Sequence, residues 1–329
     1  MDQKSMKDAI EDFLEMIRLA RSKNTYSTYA FAMRAFERML AARGVSLTSP
    51  AGALTEDGIS WFAAHLKERS PATEQLYLQA ATSFYKYVAA ERLSSINLPR
   101  AELLRRQRSR RSGVRLPQFP ASDIEQVLEF VSHENFHQGV SDGEYLRALR
   151  DRAFLLTLAD TGLRVHEACK LRRGEIDWRE SRAVIIGKGD KQAVVRFSKR
   201  ALDALQAYLK ARAALDGQSG RPLASLPLFA RHDKGAGRKI KPVTTNTGRN
   251  IVDERVRQAL GDSATGKITP HSFRHYFVTA VLRASGNLKL AQELARHASV
   301  QVTQRYAHLS NDELDKGYYE VFEQQTRPG

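Results

Sequence analysis

Four short segments of the 329-residue chain hold strongly basic, imidazole and phenol side chains at spacings that could serve one reaction. They are Thr161-Gly162-Leu163-Arg164-Val165-His166-Glu167, the turn Gly187-Lys188-Gly189-Asp190 with Lys191 after it, His271-Ser272-Phe273-Arg274-His275, and Arg296-His297 with Tyr306 nine residues past that histidine. Guanidinium groups stay charged and fork onto phosphate oxygens. A lysine can hand a proton to a leaving oxygen, and a phenol can form a covalent ester. The chemistry such a set suits is cleavage of a phosphodiester, which needs a nucleophile, positive charge for the nonbridging oxygens and a proton for the departing 5′ oxygen. Cations from the protein can stand in for a metal, so no cofactor is expected. Serine chemistry would ask for a different base arrangement, and no G-x-S-x-G elbow is present.

Each residue alone carries little. Most arginines of a basic protein are surface groups, and a tyrosine is usually packing, which is how Tyr318 and Tyr319 are read. His166 and Cys169 are spaced like metal ligands, but two residues do not make a zinc site, and they are read as packing beside the arginine. His275 and His308 are read as bland neighbours. The ordered conjunction is a different matter, and it resembles the tyrosine recombinase (phage integrase) family. By motif the likeness spans residues 122–309; the first hundred residues share only helical character and position.

That resemblance implies roles. Arg164 and Arg274 would clamp the phosphate, with His271 on the same helical face as Arg274, three residues before it, and His297 as a further donor. Lys188 matches the family's G-K-G hairpin setting and would be the general acid, with Lys191 the competing candidate and otherwise a DNA contact. Glu167 would support the site, and Tyr306, within Val302-Thr303-Gln304-Arg305-Tyr306-Ala307-His308, would be the nucleophile of a 3′-phosphotyrosyl intermediate. One position departs from the family: Leu294-Ala295-Arg296-His297 stands where Leu-Gly-His is common, so Arg296 is expected to alter the local backbone or to contact DNA. The implied activity is site-specific recombination of double-stranded DNA through a Holliday junction, as in transposon or phage integration or dimer resolution. A homotetramer on paired sites is implied, with dimer or monomer off DNA. The rival readings are a type IB topoisomerase and a non-catalytic DNA-binding protein on a recombinase scaffold.

The elements that must position these residues are mostly helical. Amphipathic spacing marks Ile10, Phe13, Leu14 and Ile17, then Tyr29, Met33, Phe36 and Leu40, then Leu76, Ala80, Phe84 and Val88. Asn24 and Thr25 are expected to cap the second helix and Gly44 to end it, while Ser70-Pro71 opens a later one. Ser122 and Glu125 form an S-x-x-E capping box, and another helix covers about 144–159. Ala183-Val184-Ile185-Ile186 and Ala193-Val194-Val195-Arg196-Phe197 flank the glycine turn as a hairpin. Residues 216–242 read as loop, and Leu309, Leu314, Val321 and Phe322 as one side of a terminal helix for docking on a neighbour or on its own domain.

The architecture is therefore mainly α: a helical core-binding (SAM-like) domain over 1–100, a basic interdomain linker over 101–120, and an α-rich catalytic domain with a small antiparallel sheet over 121–329. The two domains would close as a C-shaped clamp on DNA. Linker residues Arg105, Arg106, Arg108, Arg110, Arg111 and Arg115 are the candidate phosphate contacts. Fifty-two Lys and Arg against 37 Asp and Glu give a net charge of +15, which favours a polyanion through counterion release. No apolar run reaches the roughly 20 residues of a membrane span, and polar residues rather than a secretory signal follow Met1, so a cytoplasmic, nucleoid-associated protein without a separate arm-binding module is expected. A single cysteine, Cys169, excludes an internal disulfide.

Overall fold

The computed structural model describes residues 4–110, 121–133, 141–186, 192–233, 235, 239–297 and 303. The chain falls into two compact units, Met1–Val114 and Arg115–Gly329. Each has its own apolar core.

In the first unit the helices are α1 (Met6–Ala20), α2 (Lys23–Ala42), α3 (Asp57–His65), α4 (Pro71–Ala90) and α5 (Leu98–Arg108). Their apolar stripes meet around Phe13, Phe36, Phe62, Phe84 and Tyr85, with Phe36 packed edge-on against Phe62 at 5.2 Å between ring centres. Ser70 caps α4 by accepting the Thr73 N–H, and Pro71 sits in the first turn, where its missing donor costs nothing. Gly44, just past α2, adopts φ +75°, the left-handed conformation that stops a helix. The cap of α2 is Ser22, which accepts from Thr25 N at 3.3 Å; Asn24 and Thr25, expected as the cap, already lie in the first turn. Leu76, expected to face inward, is exposed, and Leu78 fills the core in its place.

The expected linker starts later than its charge suggested. Residues through Arg108 form α5, capped by Asn97, which accepts the Arg100 N–H at 3.0 Å, and anchored by the buried Ala101 on α3 and α4. Pro99 is in the first turn, a position proline tolerates, and arginine is a good helix former. Arg110 belongs to this unit as well, because its N–H and Nε bind the fully buried Glu74 at 2.8 and 2.5 Å and Nη2 donates to the Arg69 carbonyl.

The second unit contains α6 (Ala121–His133), α7 (Asp142–Thr161), α8 (Val165–Lys170), strands β1 (Ile176–Asp177), β2 (Arg182–Ile186) and β3 (Gln192–Arg196), then α9 (Lys199–Ala211), α10 (Ala213–Gly217), α11 (Thr245–Leu260), α12 (Pro270–Ser285) and α13 (Leu288–Ala295). Phe154, Leu155 and Leu158 are all buried because α7 packs against α6, α9, α11 and α12. The strands make an antiparallel sheet in the order β1-β2-β3, with Ile176 opposite Ala183 and Val184 opposite Val194. Ala183, Ile185 and Val195 face the core, whereas Val184, Ile186 and Val194 are exposed. Ser141 forms a capping box for α7, with Glu144 as its partner. Ser122 lies inside α6, which already starts at Ala121, and its hydroxyl donates to Asp123.

Part of the stretch 216–242, expected as loop, enters the core. Leu226, Leu228, Phe229 and Ala230 are buried, and their backbone is satisfied by Leu228 N–H to Leu171 O at 2.7 Å and Val243 N–H to Phe229 O at 3.1 Å. Among the described residues no helix is long and apolar enough to cross a membrane. The hairpin turn with Lys188 and Lys191, Arg111 and Arg115, Tyr306 and the terminal apolar residues 309–322 lie outside the described residues.

Candidate active site

Gly162 ends α7 in the left-handed conformation, φ +60°, and an added Cβ there would stand 2.4 Å from the Phe277 ring. Backbone conformation and packing both call for glycine. The turn it makes delivers Arg164 to the position just before α8, with its side chain partly exposed. Glu167, one turn into α8, accepts the Arg164 N–H through Oε2 at 2.8 Å and the Arg164 Nη1 through Oε1 at 3.0 Å.

Arg274 reaches the same turn from α12. Thr269 and Ser272 cap that helix, Pro270 fills its first turn, and Arg274 is buried on its inner face. Its Nη1 donates to the carbonyl of Gly162 and its Nη2 to that of Ala295, at the end of α13. Burial, together with the nearby charges of Arg164 and Arg296, lowers its pKa from 12.5 to about 9, so it stays charged at neutral pH. His271, one turn earlier on α12, packs its ring 4.2 Å from that of His275. Burial and then the charges of Arg274 and Arg164 hold His271 below the ordinary imidazole value.

His297 follows α13. Its N–H donates to Gln292 O at 3.0 Å, and its Nδ1 pairs with the buried hydroxyl of Thr303 at 2.9 Å. Burial, then Arg274 and Arg164, push its pKa from 6.5 down to about 4. Both imidazoles are therefore neutral at pH 7, free to donate a hydrogen bond or to take up a proton.

Arg296 occupies the left-handed cap of α13 at φ +57°, the conformation in which glycine is most at ease. Its side chain is mostly buried, and Nη2 binds Glu167 Oε2 at 3.0 Å. Burial raises the Glu167 pKa, but the Arg164 N–H and the charges of Arg296 and Arg164 outweigh it, and the carboxyl ends below the usual range. The structure thus gathers Arg164, Glu167, His271, Arg274, Arg296 and His297 into one place. The carbonyls of Gly162 and Ala295 and the hydroxyl of Thr303, which hold them there, were not singled out from sequence. Only the glycine left a signal, in Thr161-Gly162-Leu163-Arg164. His166 and Cys169 sit together on α8, and no set of three or more metal-ligating side chains occurs among the described residues.

The signature of the phage integrase family matches residues 122–313, more than half of the chain. The chain belongs to the phage integrase family. As a tyrosine recombinase it has full-length relatives: tyrosine recombinase XerC of Alcanivorax borkumensis is 32% identical over 283 residues, covering 85% of this chain and 83% of that protein. XerC of Bacillus subtilis is 28% identical over 95% of this chain and 96% of its own length. Among solved structures, the recombinase fold is shared with XerH bound to difH substrate before cleavage, with TM-score 0.69 and 18% identity, covering 97% of both chains. A lambda integrase dimer bound to a core site matches with TM-score 0.62 and 16% identity over 92% of this chain and 95% of that one. The mainly helical architecture with a small antiparallel sheet is that of these recombinases, and the enzyme is a site-specific recombinase rather than a type IB topoisomerase.

Proposed function

We propose that this recombinase cleaves and rejoins duplex DNA through a bond between Tyr306 and the phosphorus, with Arg164 and Arg274 binding the nonbridging oxygens of the scissile phosphate. The observation that carries this reading is the meeting of Arg164 and Arg274 at the Gly162 turn, although 110 residues of chain separate them. A phosphate set there would meet two permanent charges in a partly water-excluded site, where electrostatic stabilisation is strongest.

In the proposed step the phenolic oxygen forms a bond to phosphorus as the P–O5′ bond breaks. In this reading the phenolic proton passes to the neutral imidazole of His271, and Lys188 gives a proton to the 5′ oxygen. His297 donates to a nonbridging oxygen while Thr303 fixes its ring. Reversal by the 5′ hydroxyl of a partner strand conserves the ester energy and needs no ATP. Glu167 orients Arg164 from behind.

The helical first unit is the core-binding domain in this reading. Arg106 and Arg108, exposed on α5, contact the backbone with Arg105, Arg111 and Arg115. Related structures, such as XerH on palindromic difH and a Tn1549 transposon integrase in complex with circular intermediate DNA, support duplex DNA as the substrate. Four protomers on two sites, with the chain beyond Tyr306 joining neighbours, would exchange strands in two steps through a Holliday junction in the cytoplasm. The test is covalent trapping on a nicked suicide duplex that carries a site selected from random DNA. Wild type should form the adduct, and Tyr306→Phe should form none while binding DNA normally. An adduct that survives this substitution refutes the assignment.

A further inference from the structure

We propose that Arg296 is a third phosphate-binding guanidinium of the reaction centre, bound to the same scissile phosphate as Arg164 and Arg274. The inference rests on the recombinase mechanism above.

Three observations carry it. First, among the described residues Arg296 donates through Nη2 alone, to Glu167 Oε2 at 3.0 Å and weakly to Gly162 O at 3.4 Å. Its Nε and Nη1 are buried and have no hydrogen-bond partner among the described residues. A buried guanidinium with idle donors is costly, so such donors are commonly kept for a ligand. Second, those donors belong to a group held beside the other two arginines. Arg296 and Arg274 both donate to Gly162 O, while Arg296 and Arg164 share the carboxylate of Glu167. Third, the charges balance the chemistry. Arg164, Arg274 and Arg296 against Glu167 leave two positive charges, with both histidines neutral, and a pentacoordinate phosphorane carries about two negative charges on its nonbridging oxygens. With glycine at this position the same group would keep one.

Glu167 thereby has two duties. It steers Arg164 with one oxygen and Arg296 with the other, so both guanidiniums are set before DNA arrives. Preset donors need no reorganisation as charge develops.

The experiment compares covalent trapping on two nicked suicide duplexes, one with a natural scissile phosphate and one with a methylphosphonate there, in which a neutral methyl replaces one charged oxygen. Arg296→Gly suits the backbone because φ is +57°, and Arg296→Gln keeps a donor for Glu167 without the charge. Circular dichroism and thermal melting of both variants establish that they fold. On the phosphodiester each should cleave about 10²-fold more slowly than wild type, the loss typical of one donor to a developing oxyanion. On one methylphosphonate diastereomer the deficit relative to wild type should shrink to within about threefold, since the charge that Arg296 would meet is gone. Equal deficits on the two DNAs would reduce Arg296 to a structural strut, and an undiminished rate on the phosphodiester would remove it from the reaction. If wild type forms no adduct on either duplex, the failure lies in the recombinase mechanism itself.

Discussion

Arg274 donates a hydrogen bond to the carbonyl of Gly162, two residues before Arg164, so one guanidinium is gauged directly against the turn that presents the other. Gly162→Ala should disturb both at once. The new methyl would meet Phe277 at 2.4 Å, and a non-glycine residue at φ +60° costs about 1–2 kcal/mol before any clash. Urea unfolding should show at least that loss, and adduct formation should fall with it. A variant with unchanged stability and cleavage would contradict the geometry.

Glu167→Gln removes the charge that Arg164 and Arg296 share while keeping the shape of the side chain. Loss of hydrogen bonds to a buried charged group predicts destabilisation of about 1.5–3 kcal/mol. Cleavage should drop more than DNA affinity does, because the carboxylate aims cations rather than binding phosphate. Gel shifts beside trapping rates measure the split, which equal losses would deny.

Arg110 and Arg108 should behave oppositely despite standing two residues apart. Arg110→Ala strands the buried Glu74 carboxylate and is expected to lower stability by on the order of 2 kcal/mol in urea unfolding. Arg108→Ala leaves stability unchanged and reduces the slope of log affinity against log salt by about 0.9 if it holds one phosphate. Salt titrations of binding decide between them.

Acid should weaken the second unit. Tyr208 Oη accepts from Arg212 Nη1 at 2.9 Å and from Ala230 N at 3.1 Å, so its own hydrogen goes to His232 Nε2 at 2.8 Å. Burial first, then Arg150 and Arg212, push His232 from 6.5 down to about 3. The unfolded chain therefore takes up this proton before the folded one does, and stability present above pH 6.5 is lost progressively toward about pH 3. His297, lowered to about 4, acts in the same direction. His232→Gln should flatten the fall in a pH series of urea titrations; a slope identical to wild type would exclude His232 as a source.

Arg212 and Asp216, both fully buried, pair at 2.9 Å. Asp216→Ala leaves the buried Arg212 guanidinium without its carboxylate and should cost about 3–5 kcal/mol. Residual folded protein should still form the adduct, which ties this pair to stability alone.

Much of this was legible in the sequence because it rests on local chemistry. The reactive side chains stand out by type, helices α1, α2 and α4 by their apolar period, and the hairpin by β-branched runs around a glycine turn. Other features depend on the partner an element meets. Leu226, Leu228 and Phe229 read as loop because they carry no periodicity, yet they bond to the backbone at Arg173, Leu171 and Val243 and become core. The start of α5 was hidden by Pro99, whose meaning changes with its place in a helix. Charge alone could not tell that Arg110 would turn inward to Glu74. Nor could it show that Arg296 shares a carboxylate with Arg164.

The solitary thiol supplies a natural clock. Cys169 lies buried on α8 with its thiol donating to Thr244 O, and burial lifts its pKa to about 12. Alkylating reagents attack the thiolate, so labelling must wait until α8 and α11 part. The native chain thus times its own breathing, with no engineered probe, beside the turn that presents Arg164.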